Sequence, residues 1–204
     1  TLLHEMIKFD NAVNTVLEWA KDRDDTIVIV TADHETGGFG FSYSGADLPK
    51  AEQLNNHQQD VYKPNFNFGE LSILDKLYAQ QKSYGDIWYE AKDNALKPTP
   101  EKLVKTVNKY SEFAINLEDA NHILAEQKNA FYQRGHKTLG LKIASKINDF
   151  APFYVYLTER PLNLIGRALS SKQNIVWSTG THTHTPVGVF VFGPEAQAKQ
   201  FNGL

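Results

Sequence analysis

Cysteine is absent from these 204 residues. That excludes disulfides and every metal site built on thiolate, while a site built from imidazole and carboxylate remains open. Also missing is any apolar run of about 18 residues, so hydropathy marks no membrane-spanning helix. Charge is not biased to one sign: 21 Lys and Arg stand against 24 Asp and Glu, a formal net charge of −3. Such a balance argues against a nucleic-acid or anionic-membrane partner chosen by bulk charge. No internal repeat, low-complexity tract or long like-charge run occurs. No signal-peptide pattern follows Thr1, and the native N-terminus is expected to lie elsewhere. What remains is an ordinary globular composition, 41% hydrophobic and 22% charged, in a length that suits one domain or one domain with a large insertion.

The ends of the chain read differently from its middle. Met6, Phe9, Val13, Val16, Leu17 and Ala20 recur at spacings of three and four, which predicts a helix over residues 2–21. The charged run Lys21-Asp22-Arg23-Asp24-Asp25 ends it. Thr26 to Thr31 is β-branched and apolar at its centre, the pattern of a strand covered on both faces in a largely parallel sheet. From about Ser42 to Asp149, Asn, Gln, Lys and Tyr become common and helical spacing dominates. Helices are predicted over 70–80, from Thr99-Pro100-Glu101 onward with a cap and a first-turn proline, and over 117–125. The frame resumes with a helix over 161–171 and strands over 174–177 and 187–192, the last closed by Gly193-Pro194.

Two stretches carry chemistry. Thr31-Ala32-Asp33-His34-Glu35-Thr36-Gly37-Gly38 lies at the carboxyl end of the first strand, where α/β sheets place their ligand sites. On a continuing strand Asp33 and His34 would face opposite ways, so one shared ion requires a bend, which Gly37-Gly38 allows. Carboxylate and imidazole suit zinc. The plainer alternative is that Asp33 caps a turn and His34 packs beside it. Trp177 to Pro186 contains His182 and His184, which at i and i+2 share a face in extended chain; the alternative is a polar loop with solvated imidazoles. His4, His57, His122 and His136 have no neighbours at ligand spacing and read as surface residues. Phe66, Phe68, Tyr84, Trp88 and Tyr89 read as insertion core or subunit contact.

Together the two stretches resemble the alkaline phosphatase family. The Thr-Ala-Asp-His-Glu-Thr-Gly-Gly run after an apolar strand is similar to a zinc-ligand segment of its bacterial members. His182-Thr183, with Gly193-Pro194 eleven residues later, is similar to their last such segment, and Phe9-Asp10-Asn11-Ala12-Val13 resembles the helix before the first. The resemblance covers both ends, about half of the chain. It implies that Asp33 and His34 bind the zinc beside the nucleophile and that His182 binds the zinc that activates water. It also implies a phosphoserine intermediate, two zinc ions and a magnesium ion in a third site. Glu35 and His184 are the candidates for supporting those ligands, although His184 is off the family spacing and Glu35 is as readily an exposed side chain.

The departures are as informative. No Asp-Ser nucleophile segment occurs, and Ser170-Ser171-Lys172 lacks its context. The family's early metal Asp, magnesium Glu and Thr, phosphate-binding Arg, and remaining water-side zinc ligands have no counterpart. The chain is therefore expected to be a C-terminal part of a longer enzyme, cut at both ends. The fold expected is an α/β/α sandwich fragment around a mostly parallel sheet, with residues 1–42 and 150–204 as core and 43–149 as a mainly helical, crown-like insertion. The family further implies a phosphomonoester substrate, a homodimer formed through the insertion, and a periplasmic or secreted enzyme. Competing readings are a phosphodiesterase or sulfatase of the same superfamily, and a non-catalytic metal-binding and dimerisation module.

Overall fold

A computed structural model of the chain describes residues 2–45, 47–55, 60–137, 139–147 and 160–203. It is mixed α/β and divides into two compact units, residues 1–38 with 181–204, and residues 39–180. The expected insertion boundary at 149/150 and the surface reading of His57 lie outside the described residues.

The first unit opens with α1, Leu2–Ala20, close to the predicted span. It leads into β1, Val28–Val30, which pairs with β8, Phe190–Phe192, in the register Val28 to Phe192 and Val30 to Phe190. That pairing is antiparallel, where the apolar run suggests a parallel neighbour buried on both faces. Every strand pair among the described residues is likewise antiparallel. The physical reason is that β-branched composition records burial but not the direction of the neighbouring strand. Alternation of Val28 and Val30, half-buried, with exposed Ile29 shows one covered face. α1 contacts β1, yet none of its residues is buried and Met6, Phe9 and Val16 stay exposed. A three-residue strand spans about 10 Å and a 19-residue helix about 28 Å, so β1 cannot cover the predicted stripe. Gly193 closes β8 at φ 150°, and a Cβ there would stand 2.8 Å from the Thr26 carbonyl oxygen, so only glycine fits this approach. α7, Glu195–Ala198, follows it.

The second unit is built on helices. Two-residue strands β2, Gly40–Phe41, β3, Glu52–Gln53, and β4, Val61–Tyr62, precede α2, Ile73–Tyr78. Then come α3, Tyr84–Lys92, α4, Pro100–Tyr110, and α5, Leu117–Leu124. The hairpin β5, Glu126–Lys128, with β6, Ile143–Ser145, leads on to α6, Arg160–Gln173, and β7, Ile175–Val176, which pairs with β2. The helix starts are set by side chains: Thr99 accepts the Lys102 N–H with proline next to it, and Asn116 and Asp119 form a reciprocal capping box. α3 packs on α4 and α6, and α5 packs on α4 and α6, so the four close around one core. Ile87, Leu103, Val107, Ile165 and Leu169 are fully buried there. On its rim Glu90 accepts from Lys82, from the Tyr110 hydroxyl and from Lys109, and these donors, Lys82 foremost, hold its carboxyl down at about 2. Of the apolar set read as insertion core or contact surface, Tyr84 and Trp88 pack on this core while Tyr89, Phe66 and Phe68 are exposed.

Candidate metal centre

The segment after β1 leaves the ladder as a bend. Gly37 and Gly38 both adopt left-handed backbone, φ 80° and 63°, a pair of conformations that residues with a Cβ disfavour. Thr31 at the strand end donates to the Gly188 carbonyl, 3.1 Å away, which ties the bend to the segment before β8. The bend turns Asp33 and His34 towards one side. The Asp33 carboxylate is almost fully exposed, and its Oδ1 accepts the His34 backbone N–H at 3.0 Å. Its Oδ2 stands 3.5 Å from His34 Nε2. On the far side of the ring, His34 Nδ1 lies 3.1 Å from the Glu35 carbonyl oxygen and 3.3 Å from Thr36 Oγ1. A carbonyl only accepts, so Nδ1 carries a proton, and Nε2 is the nitrogen that faces the carboxylate.

His182 is brought to the same place from the other end of the chain. An isolated antiparallel bridge joins Thr36 to His182, and the imidazoles of His34 and His182 stack with centroids 3.5 Å apart and planes 21° from parallel. Glu35, which follows His34, accepts the Thr183 hydroxyl and also the Gly38 N–H, at 2.9 and 3.1 Å to its two oxygens. The Thr183 hydroxyl, then the backbone donors, hold the Glu35 carboxyl below the usual carboxylate range. His184 is exposed, as are His122 and His136.

The structure thus gathers Asp33, His34, His182 and Glu35, and adds two residues the sequence reading passed over, Thr36 and Thr183. Their signal was weak but present: each is a hydroxyl placed within two residues of a candidate ligand. Among the described residues no group of three His, Cys, Asp or Glu side chains converges. The family model for alkaline phosphatase matches residues 1–204. The chain belongs to the alkaline phosphatase family. A similar solved structure, alkaline phosphatase from Thermus thermophilus, superposes with a TM-score of 0.56 at 18% identity, covering 90% of this chain and 32% of that one. The chain therefore spans about a third of that relative's length. A comparison with curated proteins finds no match.

Membership of a metal-using family invites a test of fit. Two atoms about 2.0–2.1 Å from a tetrahedral zinc stand about 3.3–3.4 Å from each other. The Asp33 Oδ2 to His34 Nε2 separation of 3.5 Å is close to that edge, and the remaining ring nitrogen already donates to a carbonyl, as ligating imidazoles do. This pair fits half of a zinc site. The stacked imidazoles do not converge on one ion, because lone pairs in near-parallel planes 3.5 Å apart do not meet. They suit neighbouring ions, which in two-metal sites lie about 3.5–4 Å apart.

Proposed function

We propose that this chain is the C-terminal part of a phosphatase that hydrolyses phosphate monoesters with two zinc ions. Asp33 and His34 hold one ion and His182 its neighbour. The observation that carries the reading is His34 Nε2 facing the Asp33 carboxylate across a ligand-to-ligand distance while Nδ1 is engaged by the Glu35 carbonyl. Zinc, when bound, supplies a Lewis acid that polarises phosphoryl oxygens. The chain's own residues do the rest of what is local: Asp33 adds negative charge, the Glu35 carbonyl fixes the His34 tautomer, and the double-glycine turn sets the direction of both ligands. In this reading the serine that becomes phosphorylated, the remaining zinc ligands and most of the magnesium site are carried by a part of the protein outside these residues.

The same reading supposes an α/β/α frame with residues 43–149 as its insertion, a homodimer formed through that insertion, and a periplasmic or secreted enzyme. Supporting the dimer are Leu71, wholly exposed, and Tyr89, two-thirds exposed, on this segment. Among the described residues, no helix is long and apolar enough to cross a membrane. A second reading, that the 204 residues alone act as a metal-binding module without catalysis, draws on the want of any three-ligand cluster among the described residues.

Zinc titration of the chain by calorimetry tests the ligand assignment. A catalytic zinc has three protein ligands and this chain offers two and one, so affinity should fall well below that of structural zinc sites. His34→Ala should weaken it further by about tenfold or more, whereas His184→Ala should leave it unchanged. Tight stoichiometric binding that survives His34→Ala would overturn the assignment.

A further inference from the structure

The β1–β8 ladder stops at Val30 and Phe190, short of either imidazole. Beyond it the Thr36–His182 bridge sets a backbone distance, which does not by itself fix how the two rings face each other. A second connection does. The Glu35 carboxylate is anchored on the double-glycine turn through the Gly38 N–H and accepts the hydroxyl of Thr183, 148 residues further along the chain. The same hydroxyl accepts the Thr185 N–H at 3.3 Å, so the loop beyond His182 closes on it as well. Glu35 follows one imidazole and Thr183 follows the other: the residue after each ring grips the residue after its neighbour.

We infer that Glu35 is a positioning residue whose carboxylate clasps Thr183 and holds the His182 imidazole in face-to-face stacking with that of His34. The consequence for metals rests on the ligand reading above; the clasp itself does not. A hydrogen bond onto an ionised carboxylate is about twice as strong as a neutral one, which suits a contact that must order an exposed loop. Were Glu35 there only to cap the Gly37-Gly38 turn, the Gly38 N–H would be its whole purpose and Thr183 would be dispensable. Thr183→Val therefore separates the two roles, since it removes the hydroxyl while keeping the branching and volume.

The test uses the intact chain, metal-free, with histidine rings labelled for NMR. Cross-peaks between the His34 and His182 rings are expected in the wild type. They should persist in Thr183→Ser, which keeps the donor, and in Glu35→Gln, which keeps an acceptor oxygen. They should vanish in Glu35→Ala and Thr183→Val while the remaining amide spectrum is preserved. Cobalt(II) titration followed by absorption should then show each of the latter two weakened about 10–100-fold. The double variant should be no weaker than the worse single one, because both remove the same contact. Ring contacts that survive in Thr183→Val, or losses that add in the double variant, would overturn the clasp. A wild-type chain that binds no cobalt(II) yet shows the expected cross-peak pattern would remove the ligand reading and leave the clasp standing.

Discussion

The 204-residue chain alone should hydrolyse an activated aryl phosphate no faster than zinc-matched buffer. No Asp-Ser pair occurs anywhere in the sequence, so the covalent step of the proposed mechanism finds no such nucleophile here. Among the described residues the proposed ligands come as a pair and a single histidine rather than a cage, so on that reading oriented charge at the phosphoryl group is lost too. Positioning, covalent catalysis and electrostatic stabilisation are each worth several orders of magnitude, and all three are diminished together. The assay needs phosphatase-free preparations and a His182→Ala control. Turnover that survives purification and disappears in that variant would show that these residues are self-sufficient.

A second large effect is expected in the helical unit. Leu169 on α6 is fully buried among α3, α4 and α5 side chains, with Ile165 one turn before it. Leu169→Ala removes methyl groups from a packed site and leaves a cavity, at a cost of about 2–5 kcal/mol. That is a large share of the roughly 5–15 kcal/mol that holds an ordinary domain together. Leu96→Ala is the control: its side chain is 99% exposed, so its change should stay within about 0.5 kcal/mol. Urea unfolding of the two variants compares them. Equal midpoints would mean that α6 does not seal the four-helix core.

How much of this could be read beforehand depended on the range of the cause. α4 and α5 were legible because their starts are written locally, Thr99-Pro100 in one and Asn116 three residues before Asp119 in the other. α3 escaped notice because Gly85 and the clustered Tyr84, Trp88 and Tyr89 blur its apolar period, although Ser83 ahead of Asp86 marks its cap. Strands of two or three residues, such as β3 to β6, are too short to show alternation. The direction of the β1–β8 pair is a property of distant chain, and Thr26 to Thr31 has no means of recording it. The site divides in the same way. Asp33 and His34 stand out by adjacency and by the glycines after them, and His182 by its motif. What Glu35 touches was undecidable from its neighbours, because its partner, Thr183, lies at the other end of the chain.

The most direct test of the central assignment is anomalous diffraction from zinc-soaked crystals of the chain, with data collected on both sides of the zinc absorption edge. The account predicts an anomalous peak about 2.0–2.2 Å from both Asp33 Oδ2 and His34 Nε2, with Nδ1 of that ring still on the Glu35 carbonyl. Zinc bound through His34 Nδ1, or found at His184 with nothing between Asp33 and His34, would contradict it.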